Sequence, residues 1–416
     1  MISHIYKLSN IPGFNQVIKG DNTDSNILKL HKVECRTSNN ALYSIARYDK
    51  NFLSNDLVPT YGLCRSIIVN SKNNVVGFSP PKSLKCEDFI GSHSPTDEGV
   101  FAEEFIEGTM INVFWDSSLG INGSWEMSTR NTVGATSTFY KGKDAKTFRD
   151  MFLEAAKECN LDIAKLDTKY CYSFVLQHPE NRIVVPFKKP QLYLVGMYYI
   201  ENSAGSDNWN VHVANVETFK NYFGEQLKST VKFPEIYKFN SYSELIEKYG
   251  SMNTNYNVVG VMLHNRTNGD RAKIRNPVYE QVRMLRGNQP KLQYQYLCLR
   301  KEGKVGEFLK FYPENKKEFS GFRDQVHLFT DTLFNNYVSC YIKKERPLGQ
   351  FPDKYRTHMY NIHQKYINEL KESKQYVTNV FVQKYVNDLH PSLLMYCLNH
   401  DLRKKNVDTI AAEHNM

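Results

Sequence analysis

Carboxylates gather at one point of the chain, at Glu103, Glu104 and Glu107. Carboxylate oxygens are the ligands that divalent cations such as Mg²⁺ prefer, so this group could support metal-assisted chemistry. Glu103 and Glu104 are neighbours in a predicted strand, where successive side chains point to opposite faces. We therefore expect at most one of the two to lie in a common site with Glu107.

A second candidate for chemistry is Arg182, which follows Asn181 at the start of a predicted strand. A guanidinium group donates a planar fork of hydrogen bonds that fits either a carboxylate or a phosphate. Arg182 can therefore hold the strand through a buried ion pair or bind an anionic ligand. The sequence leaves both interpretations open.

Cysteine usage and charge narrow the kinds of site. The eight cysteines are scattered, and no two of them are spaced Cys-x-x-Cys, so we expect reduced thiols rather than a zinc site. The net charge is +9, and the 20 basic and 14 acidic residues from Lys291 onward leave +6 in that part. A modest basic excess suits a polyanionic partner such as RNA, and solvated surface charge explains it equally well.

The elements that would position these residues are mostly strands as far as about residue 285. Residues 1–60 read as an irregular, β-rich lead-in. Helical spacing predicts helices over residues 143–159 and 242–249. Runs of β-branched and apolar residues between turn signals predict strands over residues 64–69, 75–78, 101–105, 110–115, 124–129, 171–176, 192–199, 258–263 and 271–275.

Past about residue 290 the apolar period becomes helical. Phe329, Leu333, Tyr337 and Tyr341 recur every fourth residue, and residues 355–370 and 381–389 continue the spacing. Pro391 fits the first turn of a further helix. We interpret this aromatic stripe as the core of a separate helical domain.

The sequence shows no segment typical of targeting or membrane insertion. The longest apolar run, residues 192–200, is about half as long as a membrane-spanning helix. The first residues lack the charged start and apolar block of a signal peptide. We expect a cytoplasmic protein without a membrane partner.

Residues 104–112, Glu-Phe-Ile-Glu-Gly-Thr-Met-Ile-Asn, resemble the nucleotidyl-binding segment of the T4-type, phage-like RNA ligases. That segment reads Lys-x-Asp/Glu-Gly followed by Ser or Thr, and Glu107, Gly108 and Thr109 match it. Phe105 stands where the family has its nucleophilic lysine.

Other segments of the chain resemble the same family. Pro179 to Val184 is similar to its Pro-x-Asn-Arg-Ile-Val segment, and Ala272 to Arg275 to its final Lys-x-Lys. Cys64-Arg65, Pro81-Lys82 and Thr129-Arg130 resemble basic segments of the pocket. The resemblance implies a nucleotide- and phosphate-binding set of Arg65, Lys82, Glu107, Gly108, Arg130, Arg182, Lys273 and Arg275, with Glu107 as a metal ligand.

The resemblance also implies a domain organisation. We expect an α+β fold in which residues 61–285, with residues 1–60 as the lead-in, form an RNA ligase-like nucleotidyltransferase domain of antiparallel sheets and flanking helices. Residues 290–416 would form an all-helical C-terminal domain.

The chemistry that the resemblance implies is attack of a lysine amine on a nucleotide α-phosphate, with basic residues and a divalent metal neutralising the charge. The chain departs from the family at the groups that do this. Phe105 replaces the nucleophile, and Val175 and Val259 replace two glutamates. The cationic residues are kept.

Three functions therefore stay open: an enzyme, a pseudo-ligase and a scaffold. An enzyme would use ATP and Mg²⁺ and activate RNA ends through a displaced lysine, Lys82 or Lys85, or by another route. A pseudo-ligase would hold a nucleotide or RNA end without adenylylation and need no cofactor. The third is a scaffold whose helical tail contacts a protein. We expect RNA as the partner, through the basic pocket and basic tail, and the host cytoplasm as the location if the chain is viral.

Overall fold

The protein is described by a computed structural model that covers residues 2–19, 30–139, 145–202 and 208–403. Strands and helices alternate irregularly as far as residue 286, and helices follow. The strands are β1 Ile2–Lys7, β2 Leu30–Arg36, β3 Leu42–Tyr48, β4 Ile67–Asn70, β5 Val75–Gly77, β6 Val100–Glu104, β7 Thr109–Asp116, β8 Ser124–Ser128, β9 Tyr170–Gln177, β10 Gln191–Asn202, β11 Trp209–Ala214, β12 Ile236–Tyr237, β13 Gly260–Asn265 and β14 Arg271–Arg275.

The α-helices divide between the two parts of the chain. They are α1 Phe14–Lys19, α2 Val58–Tyr61, α3 Cys86–Ser92, α4 Phe148–Glu158, α5 Tyr242–Tyr249, α6 Pro277–Arg286, α7 Leu292–Lys301, α8 Val305–Phe311, α9 Lys316–Tyr337, α10 Asp353–Lys365, α11 Asn379–Asp388 and α12 Pro391–Leu398. Two compact units result, residues 1–283 and residues 284–416. Among the described residues, no helix is long and apolar enough to cross a membrane.

Three antiparallel sheets build the first unit. The central sheet has the strand order β1-β11-β10-β9-β7-β8, the site sheet β12-β6-β13-β14 and the N-terminal sheet β2-β3-β4-β5. Helix α4 packs on the central sheet, where Phe152 meets Phe174 in a shared core. This arrangement, followed by a helical region, confirms the predicted α+β class.

The site sheet has one apolar face and one charged face because its side chains alternate along each strand. Ala272 and Ile274 of β14 lie in a core with Phe89 of α3 and Leu245 of α5. The register places Glu103, Met262 and Lys273 in one row across β6, β13 and β14. That row and its neighbours form the face that borders the candidate site.

Most predicted elements exist, and some limits move for local reasons. Helix α4 begins at Phe148 because Thr147 caps it: its side chain accepts the Asp150 N–H while the Asp150 carboxylate accepts the Thr147 N–H. Strand β6 ends at Glu104, so Phe105 lies in the connection to β7 rather than in the strand.

The strand predicted to start at Arg182 does not form. A short helical turn, Pro179–Asn181, is followed by irregular chain as far as β10. Pro186 and Pro190 have no N–H to donate to a sheet, and the N–H groups of Val184 and Val185 bind a side chain instead.

The second unit, described by itself, is helical, as its aromatic period predicts. Phe329, Leu333 and Tyr337 of α9 are buried, as are Met359 and Ile362 of α10. Pro391 occupies the first position of α12. The stripe is therefore core packing, in agreement with the prediction.

Candidate functional site

Two neighbouring cavities in the first unit bring most of the predicted site residues together. The Lys82 cavity, about 840 Å³, is bordered by Lys82, Lys85, Arg130, Arg65, Lys273 and Arg275 among others. The Phe105 cavity, about 330 Å³, is bordered by Phe105, Glu107, Gly108, Val175, Val259, Met262, Arg271, Tyr279 and again Arg65, Lys273 and Arg275. The three shared residues join the two spaces. Arg182 borders neither cavity.

Strand β14 supplies three of the cations through its alternation. Arg271, Lys273 and Arg275 point to the charged face of the site sheet, whereas Ala272 and Ile274 are buried on the other. Arg271 is a site residue that the motif comparison missed, because it lies just before the matched segment. The same alternation, applied to the sequence, would have found it.

Six cations form what we term the cationic cluster. Among the described residues, only Arg275 of the six forms an ion pair with a carboxylate, that of Glu280. Arg130 donates through Nη2 to the Tyr48 hydroxyl at 3.0 Å, and its guanidinium lies over the Tyr48 ring. The cluster consists of Arg65, Lys82, Arg130, Arg271, Lys273 and Arg275.

Mutual repulsion and burial both act on the cluster. Burial lowers the pKa of Arg65 to about 10, with the charges of Arg271 and Arg130 adding to the effect. The side chain of Lys82 is exposed, but its amine is partly desolvated, which lowers its pKa first; the charges of Arg65, Arg275 and Arg130 lower it further. Five of the six cations have no carboxylate partner among the described residues, so the cluster favours an anionic ligand, whose binding would relieve the repulsion.

Lys273 is the most strongly affected member. Its Nζ lies 4.6 Å from the centroid of the Phe105 ring. Burial, reinforced by Arg271, Arg65, Arg275 and Lys82 in that order, lowers its pKa to about 6. An aromatic face attracts an ammonium by about 0.5–2 kcal/mol, whereas each pKa unit equals about 1.4 kcal/mol. The ring offsets only part of this effect, so the pKa of the amine stays well below its ordinary value.

Glu107 serves the fold through its carboxylate. Oε1 accepts the N–H of Val184 at 2.7 Å, and both oxygens accept the N–H of Val185 at 3.1 Å. Burial raises the pKa of Glu107, and these hydrogen bonds oppose that rise. The carboxylate thus holds the segment after Asn181 against the Glu-Gly step.

Arg182 acts on the same segment. Its Nε donates to the Val184 carbonyl at 2.9 Å, and its charge lies near Glu107. Asn181 is buried and donates through Nδ2 to the Thr109 hydroxyl at 2.8 Å. The motif with the strongest family resemblance therefore holds the chain against the start of β7 in this structure.

The glycine of the Glu-Gly step is required by a close approach of two chain segments. Gly108 has φ +149°, and a Cβ there would meet the Leu176 carbonyl and lie 2.7 Å from Val175 Cγ1. Gly260 has φ +135°, and a Cβ there would meet the Ile274 carbonyl. Only glycine fits such positions without displacing the neighbouring backbone.

The two valines that replace family glutamates complete an apolar wall. Val175 and Val259 are buried and border the Phe105 cavity together with Phe105 and Met262. Hydrocarbon therefore stands where the resemblance implies carboxylates.

The remaining carboxylates do not suit a divalent metal. Glu103 pairs with His264 at 2.8 Å, and Glu104 accepts the Glu235 N–H at 3.5 Å. Glu107 is occupied by backbone N–H groups. Glu103 and Glu104 both border the Phe105 cavity with Glu107, so the expectation that at most one of them would share a site with Glu107 was wrong. In the described part of the chain, no three His, Cys, Asp or Glu residues are grouped to hold a metal ion.

Of the two joined cavities, the predicted displaced lysines border only the Lys82 cavity. Lys82 is exposed, and its Nζ donates to the Ser83 carbonyl at 3.3 Å. Lys85 is exposed and directly precedes α3. Neither residue borders the Phe105 cavity.

Comparison with known proteins finds similarity to an RNA ligase. No family model matches the chain. An RNA ligase of Rhodothermus phage RM378 is 23% identical over 293 residues, which are 63% of this chain and 64% of that protein. The matched region thus spans less than two thirds of the relative's length.

Solved structures give a weaker likeness. Two mutants of Naegleria gruberi RNA ligase with ATP and Mn have TM-scores of 0.35 at 12% and 13% identity, covering 50% of this chain and 59% of theirs. A further, apo mutant covers 60% of this chain and 76% of its own, with a TM-score of 0.34 at 12% identity. At these scores the likeness identifies no residue of the site. The sequence similarity supports a relationship between this chain and the RNA ligases.

Proposed function

We propose that the protein is an RNA ligase-like, nucleotidyltransferase-fold protein that binds a nucleotide and the phosphates of RNA ends in the two joined cavities. The observation that carries the proposal is the cationic cluster, which has one carboxylate partner among the described residues and lies beside an apolar wall. Cations without counterions bind phosphates, and an apolar wall with an aromatic ring suits a base.

The shared border of the cavities suggests how a nucleotide would lie. Arg65 and Arg275 border both spaces, so phosphates there would contact the largest number of cations. The base would extend into the Phe105 cavity, against Met262 and the Phe105 ring. RNA phosphates would continue towards Lys82 in the wider cavity.

Any adenylyl transfer by this chain would be non-standard. Phe105 has no nucleophilic atom, and Val175 and Val259 have no oxygen to offer a metal or a ribose. Under this proposal the cluster, rather than Mg²⁺, neutralises the phosphates. ATP is then a ligand that needs no metal to bind.

A second candidate is a catalytically inactive pseudo-ligase that serves as an RNA-binding or scaffold module. The structural use of Glu107 favours it, because that carboxylate holds backbone rather than standing free for a ligand. The charge of +6 from Lys291 onward would add RNA affinity, and the helical unit could instead contact a protein. The cytoplasmic location stays a prediction.

Calorimetric titration with ATP, in Mg²⁺ and separately in EDTA, tests the proposal. We expect binding in both conditions and a loss of about 10- to 100-fold in affinity for Arg65→Met, which removes charge-assisted hydrogen bonds. Lys157→Met is the matched control, because Lys157 is an exposed cation of α4 outside both cavities. Absence of ATP binding, or equal affinity for Arg65→Met and the wild type, would contradict the proposal.

RNA binding has a separate test. Fluorescence anisotropy with a 5′-phosphorylated RNA and its unphosphorylated counterpart should show a preference for the phosphorylated end. Affinity should fall steeply with added salt, because phosphate contacts release counterions. If the affinity for RNA stays constant from low to moderate salt, RNA is not the partner of the cationic cluster.

A further inference from the structure

We propose that Lys273 Nζ, on β14, is the nucleophile of a nucleotidyl transfer in this protein. It takes the place of the nucleophilic lysine that the family motif has at the position of Phe105. This inference rests on the proposed function. It assigns the reacting group to a residue other than Lys82 or Lys85, the two displaced lysines considered from the sequence.

The geometry places the amine at the ring of Phe105. Lys273 Nζ lies 4.6 Å from the centroid of that ring, and both residues border the Phe105 cavity. Lys273 lies in β14, and Phe105 directly follows β6; these two strands flank β13 in one sheet. The family motif has its amine at position 105, which is Phe105 here; β14 of the same sheet brings the Lys273 amine to the same cavity.

The state of the amine suits nucleophilic attack. Among the described residues, no carboxylate or hydrogen-bond acceptor contacts Nζ, and its aromatic neighbour offers no proton acceptor. The same burial and neighbouring charges that lower its pKa to about 6 leave its lone pair free in a larger fraction of molecules near neutral pH than for an ordinary lysine. A lysine in a desolvated pocket next to other cations is an activated nucleophile.

The two other lysines near the site differ from Lys273. Lys82 and Lys85 are exposed and border the Lys82 cavity but not the Phe105 cavity. Arg65, Lys82 and Arg275 instead surround the space next to Lys273, where the β- and γ-phosphates of a nucleoside triphosphate would lie. Their charges would stabilise the departing pyrophosphate and oppose the rise in the pKa of the Lys273 amine that a bound anion causes.

The step balances without another reactant. The Lys273 nitrogen attacks the α-phosphorus of the nucleoside triphosphate, forming an N–P bond as the bond from that phosphorus to the bridging oxygen breaks. The bridging oxygen leaves with the electron pair as part of pyrophosphate. The nitrogen releases one proton to the pyrophosphate or to solvent, and a lysyl phosphoramidate remains.

The test incubates the full chain with α-labelled ATP and, in parallel, α-labelled GTP, each with Mg²⁺ and with EDTA. We expect an acid-labile, base-stable label that mass spectrometry maps to Lys273. The Lys273→Arg variant should show only background label, and calorimetry should show that it still binds ATP. The surface control Lys157→Arg should keep the label on Lys273.

The pH profile separates a nucleophile from a residue that only supports the fold. The labelling rate of the wild type should rise with pH and level off well below pH 10, because the reacting amine is already neutral there. An ordinary lysine would keep gaining rate towards its usual pKa.

The results distinguish the two proposals. ATP binding without any label, or a label mapped to Lys82 or Lys85, would overturn the assignment of Lys273 and leave the binding function intact. A wild type that does not bind ATP would overturn both.

Discussion

The two cavities share Arg65, Lys273 and Arg275 but differ in what surrounds these residues. The Lys82 cavity is wide and mainly bordered by charged and polar groups, whereas the Phe105 cavity is smaller and has an apolar wall of Phe105, Val175 and other side chains. In the Lys82 cavity the cations stay close to water. Beside the apolar wall of the Phe105 cavity, the Lys273 amine has lost most of its water.

The difference separates two kinds of position in the candidate site. Cations that suit phosphates lie along the shared border, whereas Phe105, Val175 and Val259, where the resemblance implies a nucleophile and carboxylates, place hydrocarbon on one side. Phosphate binding depends on net charge, which many arrangements of arginine and lysine can provide. Catalysis depends on the state of particular atoms, so it is sensitive to each replacement.

Gly108→Ala should have the largest effect, because it breaks the wall of the Phe105 cavity. The residue has φ +149°, and the new Cβ would meet the Leu176 carbonyl of β9. We expect a loss of about 3 kcal/mol or more in the free energy of unfolding. Urea denaturation followed by circular dichroism measures it.

Gly91→Ala is the matched control for this substitution. Gly91 lies in α3, and a Cβ there meets no atom within 4 Å. Alanine should stabilise the helix by about 0.5–1 kcal/mol. Equal stabilities for the Gly108 and Gly91 variants would contradict the close approach of Gly108 to the backbone of β9.

Lys273→Met should change how stability depends on pH. The folded pKa of Lys273 is lowered to about 6. Between pH 6 and its usual value the unfolded chain therefore binds a proton that the folded chain does not, so this group makes stability rise with pH. Relative to the wild type, the variant should be most stabilised near pH 6, and the advantage should shrink by at most about 1.4 kcal/mol per pH unit.

Urea midpoints of wild type, Lys273→Met and Lys157→Met at pH 6, 7, 8 and 9 measure this slope. The Lys157 variant should follow the wild type, because Lys157 is exposed on α4. A constant difference in stability between Lys273→Met and wild type across this range would show that the fold does not lower the pKa of Lys273.

Lys82→Met and Lys85→Met should differ in ATP affinity by a smaller amount. Lys82 interacts with the charges of Arg65, Arg275 and Arg130, so its loss should weaken binding about tenfold. Lys85, exposed before α3, should change affinity less than about threefold. Calorimetric titration at two salt concentrations measures both, and a larger effect at Lys85 would move the phosphate site towards α3.

Local patterns predicted much of the molecule. The alternation in residues 271–275 and the helical spacing from Phe329 onward gave elements that the structure contains, because side-chain period follows directly from backbone geometry. The strand predicted from Arg182 failed because a distant carboxylate, Glu107, takes the N–H groups of Val184 and Val185. No local period reveals a partner 77 residues away.

The sequence by itself determined the fold class, the cationic residues and the absence of a lysine at position 105. Only the tertiary structure decided that Lys273 lies over Phe105, that Arg271 joins the cluster, and that Glu107 is engaged with backbone. The physical reason is that charge and side-chain period are properties of residues in order along the chain. The water, ring or carboxylate that each charge meets depends on which strands the fold places side by side.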